Sequence, residues 1–284
     1  MKIINRNVWI LSLVSLFADV ASEMLYPVVP VYLKETGFSI LMIGILEGVV
    51  NFIAGLSKGY FGRLSDRNGR RTPFIRTGYL LSAISKPALA LSSLTGWIFL
   101  ARTVDRLGKG VRTAARDALL SQNATPDTKA AVFGFHRSMD TLGAAIGPVI
   151  ALAYLYLRPG DYQTVFLLAL APGLVSVALT WSIREQQQRA SSEPRGHFFS
   201  YFSYWRKASG NYKKLVKGLL VFALFNSADV FLLLKAREVT GSDSLTIAAY
   251  IVYNLVFALA AWPLGRLADK VGLHKVFLAG LLVF

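Results

Sequence analysis

Long apolar runs alternate with short polar ones along most of the chain. They cover about Val8–Leu33, Ile40–Phe61, Ile75–Ser92, Trp97–Leu119, Lys129–Leu157, Thr164–Ile183, Leu215–Val239 and Leu245–Leu264. A helix needs about 20 mostly apolar residues to cross hydrocarbon. Lipid offers no partner for unpaired backbone groups, so runs of this length predict helices. The pattern therefore gives an all-α, polytopic membrane protein. Arg184–Lys214 breaks it with a polar and aromatic stretch, read as a cytoplasmic linker. Within it, Tyr201-Phe202-Ser203-Tyr204-Trp205-Arg206-Lys207 has the composition of an amphipathic piece at the interface. A ninth run, Val276–Phe284, is too short for a bilayer core of about 30 Å. The chain is therefore expected to be truncated in its ninth helix. Pro27, Pro30, Pro87, Gly143, Gly147, Pro148, Pro172 and Gly173 punctuate the spans, where they permit kinks and close packing.

The polar breaks contain a repeat. Gly62-Arg63-Leu64-Ser65-Asp66-Arg67-Asn68-Gly69-Arg70-Arg71 follows the second run, and Gly265-Arg266-Leu267-Ala268-Asp269-Lys270-Val271-Gly272 follows the eighth. The offset is 203 (265 minus 62), and Asn51 and Asn254 share it. Asp19 and Asp229 match approximately. Two copies of one helix–charged loop–helix unit imply two homologous halves. The expected division is a complete six-helix bundle at 1–183, a linker at 184–214, and a partial second bundle at 215–284.

Composition and charge sharpen this reading. The 284 residues are 54% hydrophobic, and the formal net charge is +15. Such a charge raises nucleic-acid binding as a possibility. The cations, however, cluster between apolar runs, as in cytoplasmic loops, so no nucleic-acid partner is expected. Arg63, Arg67, Arg70, Arg71 and Arg76 follow the second run, while the odd-numbered runs are followed by at most one basic residue. The basic side is cytoplasmic by the positive-inside rule, which puts the N-terminus inside and the protein in the inner or plasma membrane. Cysteine is absent, which removes disulfides and thiol chemistry.

The fourth run carries charges that hydrocarbon would not accept. Arg102, Asp105, Arg106, Lys109, Arg112, Arg116 and Asp117 fall within an arc of about 140° on a helical wheel. Each charge at mid-membrane costs roughly 2.5–3.5 kcal/mol on the mildest scale, so this face should look into a wet cavity or at partner charges. Arg112, Arg116 and Asp117 are expected at the cytoplasmic end, snorkelling, and the other four in the cavity. On the first run, Ser12, Ser15, Asp19, Ser22, Glu23 and Tyr26 form a matching polar arc. Its two carboxylates suit reversible proton binding, or neutralise the fourth run's cations. Glu47 and Asp229 are lone acids, and Arg137 and Asp140 have the spacing of an intrahelical pair.

With these motifs the chain resembles the major facilitator superfamily, over nearly its whole length, as about two-thirds of a twelve-helix transporter. Gly62–Arg71 matches the family's loop signature Gly-x-Leu-x-Asp-Arg-x-Gly-Arg-Arg at every defined position. In the echo, Leu273 and His274 replace the arginine pair. Arg106 with Gly110 resembles the helix-four motif linked to proton transfer, with Arg102 as the competing candidate. Gly143-x-x-x-Gly147-Pro148 resembles the helix-five motif of antiporters, although Ala151-Leu152 stand where that motif has a glycine pair. The resemblance implies two bundles around a central cavity and alternating access. It also implies a cytoplasmic latch made by Gly62, Asp66, Arg67, Gly69, Arg70 and Arg71, with Gly265 and Asp269 as its second copy.

The resulting expectation is proton-coupled efflux of a small organic molecule. Asp19 or Glu23 carries the proton beside Arg106. Tyr26, Glu47, Asn51, Arg102, Asp105, Lys109, Arg137, Asp140 and Asp229 line the cavity. Symport of a small anionic nutrient is the alternative, since the fourth run holds five cations against two acids. A non-transporting fragment is a third. No Walker loop, nucleophile motif or metal-ligand cluster points to an enzyme, metal or cofactor. The partners expected are a small-molecule substrate, protons and the bilayer, around a monomer when full length.

Overall fold

The structure is a computed structural model that describes residues 3–185, 203–225 and 243–283, together with 199, 235 and 238–241. Twelve described helices follow: α1 (Arg6–Glu23), α2 (Val28–Glu35), α3 (Ile40–Asn68), α4 (Thr72–Ala88), α5 (Thr95–Gln122), α6 (Lys129–Leu157), α7 (Tyr162–Leu168), α8 (Leu170–Leu179), α9 (Tyr204–Lys207), α10 (Gly210–Phe225), α11 (Asp243–Val271) and α12 (Leu273–Val283). Among the described residues, five stretches are long and apolar enough to cross a membrane: Arg6–Glu35, Ile40–Asn68, Pro126–Leu157, Tyr162–Ser182 and Ala248–Val271.

The helices depart from the apolar runs in four places. Pro27 has no N–H to donate, and the first run breaks into α1 and α2 across Met24–Pro27. The sixth breaks at Ala169, next to Pro172. The two charged repeats are mostly helix. Glycine turns end α3 at Gly69 (φ 63°) and α11 at Gly272 (φ 111°), the left-handed geometry that glycine adopts without penalty. Helix α10 begins at Gly210, inside the stretch read as linker, most of which lies outside the described residues.

Close approach organises the first eight helices. On α6, a Cβ at Gly147 would sit 2.7 Å from both the Met24 nitrogen and the Val20 carbonyl oxygen of α1. At Gly143 it would strike the Leu16 carbonyl and come within 3.1 Å of the Asp19 Cβ. The Gly143–Gly147–Pro148 stretch thus lets α1 and α6 pack backbone to backbone. Gly78 and Gly108 do the same for α4 and α5. One apolar core gathers Met24, Leu33, Leu46 and Phe166, and a second gathers Val8, Leu11, Ile75, Tyr79 and Leu120.

Polar contacts gather one end of the bundle. Asn5 caps α1 by accepting from the Val8 N–H (3.0 Å) and donates to the Asn123 carbonyl after α5 (3.2 Å). Asn7 donates to the Arg184 carbonyl at 2.7 Å. Glu185 accepts from the N–H groups of Arg71 (2.6 Å) and Thr72 (2.8 Å), capping α4. The N-terminus, the α3–α4 turn, the α5–α6 turn and residues 184–185 therefore lie on one side. At the other end, Asp161 caps α7. The Tyr154 hydroxyl, 2.6 Å away, and the Thr164 N–H hold its carboxyl below the ordinary aspartate range.

Helix α11 packs along α6. A Cβ on Gly134 would come 2.5 Å from the Ala261 carbonyl oxygen, and Phe135 meets Trp262 edge to face at 5.8 Å. The Trp262 backbone N–H donates to the Ser138 hydroxyl at 3.0 Å.

Candidate functional site

Helices α1, α2, α3 and α5, with the N-terminal part of α11, enclose a cavity of about 590 Å³. Asp19, Glu23, Tyr26, Glu47, Asn51, Arg102, Asp105, Arg106 and Lys109 all line it. A second chamber of about 180 Å³ joins α1, α6 and α11, and Arg137 and Asp140 face it beside Asp19, Glu23 and Lys109. Asp229 lies outside the described residues.

The charges on α5 are held from three sides. Arg102 pairs with Glu47 of α3, and Arg106 reaches the other oxygen of Glu47 at 3.8 Å. The ion pair of Arg106 thus goes to Glu47, which corrects the reading of Glu47 as a lone acid. The reason is reach, since α3 packs against α5. Asp105 pairs with Lys86 of α4 at 3.2 Å. Lys86 is buried at 3% exposure and also donates to the Ser82 carbonyl at 2.7 Å. Sequence reasoning missed it. Its signal was available, since a single lysine inside an apolar run needs a partner or a cavity.

Arg112 and Arg116 do not snorkel. Arg112 is 3% exposed, and its guanidinium lies 4.2 Å from the centre of the Tyr79 ring. Arg116 donates to the Asp117 carboxylate at 2.9 Å and to the Ser15 hydroxyl at 3.1 Å. Stacking and an adjacent carboxylate keep both cations inside the bundle, where a wheel diagram offers only the solvent end.

On α6, Arg137 pairs with Asp140 at 2.9 Å. The other Asp140 oxygen accepts from the Ser15 hydroxyl of α1 at 2.7 Å. Across to α11, the Tyr250 hydroxyl donates to Glu23 at 3.1 Å, and its ring stacks on Tyr26 at 5.5 Å. Tyr250 was not foreseen, because nothing in a tyrosine's local sequence shows that its helix will cross the mouth of a cavity. Asn254, one turn on, is buried and donates to the Tyr250 carbonyl at 2.9 Å.

The two repeats end differently. Asp66 pairs with Arg71 of its own turn at 2.7 Å. Asp269 instead accepts from the N–H groups of Ala130 (2.9 Å) and Ala131 (2.7 Å), the first turn of α6. A carboxylate there meets unpaired donors and the positive end of the helix dipole.

This arrangement can hold a small polar or charged molecule against a lining in which cations and carboxylates nearly balance. It can also exchange protons at carboxylates that face the cavity. Among the described residues no group of three or more His, Asp or Glu side chains has the geometry of a metal site.

Several known proteins are similar to this chain. An uncharacterized MFS-type transporter of Methanocaldococcus jannaschii is 28% identical over 287 residues, covering 99% of this chain and 71% of that protein. A multi-drug resistance efflux pump PmrA homolog of Lactococcus lactis is 24% identical over 290 residues, with 98% and 70% covered. The crystal structure of a human organic anion transporter shares the fold, with a TM-score of 0.70 at 16% identity over 92% of this chain and 72% of that one. The sequence profile of the Major Facilitator Superfamily matches residues 11–284, and the chain belongs to that family of multi-pass membrane transporters.

Proposed function

We propose that the protein exports a small organic molecule in exchange for protons, by alternating access, across the inner or plasma membrane with its N-terminus in the cytoplasm. The carrying observation is the joint lining of one cavity by Asp19, Glu23, Arg102, Arg106 and Lys109, with Glu23 bonded to Tyr250 of the second half. A carboxylate that both titrates and touches the other half couples proton binding to movement between halves. The name of the Lactococcus relative supports efflux. Residues 1–183 act as one body, 184–214 as linker and 215–284 as part of the other body. Asp66, Arg67, Arg70, Arg71 and Asp269 form contacts at one end that break and re-form between states. The helix-five glycines Gly143 and Gly147 hold α1 rigidly on α6. The test is flux in proteoliposomes with an imposed pH gradient. Substrate movement against the proton flow, abolished when the gradient is collapsed, is the expected result.

A second reading is symport of a small anionic nutrient. The cations of the lining, Lys86, Arg102, Arg106, Lys109 and Arg112, favour it, as does the fold shared with an organic anion transporter. Substrate moving inward with protons in the same assay would select it.

A further inference from the structure

We infer that Asp140 is part of the proton site: Asp19 and Asp140 hold one exchangeable proton between their carboxyl groups, where the chamber between α1, α6 and α11 meets the cavity. The inference rests on the proton-coupled reading above and adds to it a residue whose sequence context points only to an intrahelical ion pair.

Three independent contacts fix the juxtaposition. Asp19 sits over Gly143 of α6, its Cβ 3.1 Å from where a glycine Cβ would be, and Asp140 is one turn earlier on α6. Ser15, one turn before Asp19 on α1, donates to the Asp140 Oδ1 at 2.7 Å. Asp19 and Asp140 both face the 180 Å³ chamber. Helices α1 and α6 run parallel here, so Asp140 lies between Ser15 and Asp19.

Two carboxyl groups that face one small chamber favour keeping a proton on one of them. Asp140 is the ionised member, because Ser15 donates to Oδ1 and Arg137 to Oδ2. The proton therefore sits on Asp19, the member that lines both the chamber and the cavity. Two carboxylates in one chamber repel when both are ionised, so loss of the proton must be met by a cation. Lys109, Arg112 and Arg116 of α5 face the pair, as do His136 and Arg137 of α6. Glu23 of α1 and Tyr250 of α11 stand at the same chamber. Lys109 is the cation that reaches both chambers, so release of the proton from Asp19 leaves a carboxylate that draws Lys109 towards α1. A purely structural role would leave Asp140 satisfied by Arg137, yet Arg137 is largely exposed while Asp140 is buried, and i,i+3 pairs on a helix surface contribute little.

The test is infrared difference spectroscopy of the purified protein in lipid nanodiscs, titrated across neutral pH. A protonated-carboxyl band is expected in the unmodified protein and is expected to vanish in both Asp19→Asn and Asp140→Asn. In Asp140→Asn, Asp19 loses its carboxylate partner and ionises beside Lys109. Ser15→Ala removes the hydroxyl that donates to Asp140 and accepts from Arg116 and leaves both carboxyl groups in place, so it should shift the band, and it decides the matter if Asp140→Asn does not fold. A band absent from the unmodified protein, or unchanged in Asp140→Asn or Ser15→Ala, overturns the inference. The measurement needs no substrate. Failure of proton-coupled transport with this band intact would refute the proposed function and leave the shared proton standing.

Discussion

The turn after α3 and the turn after α11 carry nearly the same residues and end in different contacts. Gly62-Arg63-Leu64-Ser65-Asp66 and Gly265-Arg266-Leu267-Ala268-Asp269 both finish a long helix, three residues before a glycine in the left-handed region. Asp66 folds back on Arg71 of its own turn, with 58% of its side chain exposed. Asp269 crosses to α6 and caps it. The first turn of α4, just beyond Asp66, is capped by Glu185 instead. The local motif thus specifies a carboxylate at a helix end. Which donors it takes is decided by the helix that happens to lie opposite, and that is a tertiary matter.

The glycines that open the two motifs break the comparison hardest. A Cβ at Gly265 would run into the Ala130 carbonyl oxygen and lie 3.2 Å from the Gly134 Cα, both backbone atoms of α6. At Gly62 it would meet the Ala114 Cβ alone, at 2.9 Å. Gly265→Ala should therefore push α11 off α6 and destabilise the contact by about 1–3 kcal/mol, whereas Gly62→Ala should cost less. Limited proteolysis of the two variants checks this. Cleavage within 243–283 should rise for Gly265→Ala only, and equal cleavage patterns would count against the close packing.

The two remote caps come next. Asp269→Ala leaves the Ala130 and Ala131 N–H groups without their carboxylate, and Glu185→Ala does the same at Arg71 and Thr72. Each should cost about 1 kcal/mol, the usual worth of an N-cap. Hydrogen exchange separates them. The first variant should speed exchange at the start of α6, and the second at the start of α4. If Asp269→Ala leaves the α6 amides protected, the cap that α11 supplies to α6 is not held in solution.

Much of the fold was legible because lipid enforces it: a run of about 20 apolar residues has few alternatives to a helix. The repeat, the family signature and the charged arc of α5 could be read the same way. What could not be read was pairing between helices. Glu47 looked solitary because its partners Arg102 and Arg106 are some 55 residues away in sequence, and only the packing of α3 on α5 joins them. Arg112 looked like a snorkelling end residue because its partner is the face of Tyr79 on α4. Asp140 looked complete with Arg137 because the sequence offers an i+3 neighbour and hides Ser15 and Asp19 on another helix.

The smallest effect on stability is expected at Asp66. Its one described ion pair is short, but the carboxylate is mostly in solvent, where such pairs contribute about 0–1 kcal/mol and are screened by salt. Asp66→Asn should therefore leave thermal stability almost unchanged, and raising the salt concentration should erase what difference remains. The proposed latch predicts something else from the same variant. A contact that forms in one transport state only, worth about 1–3 kcal/mol, shifts the balance between states by tenfold or more without touching the fold. Single cysteines placed at Asn51 and Thr246, which line the cavity or the wall opposite, report that balance through their labelling rates, and the chain has no native cysteine to interfere. A large change in labelling with an unchanged melting temperature is the expected outcome. If labelling and melting are both unchanged, Asp66 is a surface residue with a neighbour, and Asp269 alone of the two carries a contact to a distant helix.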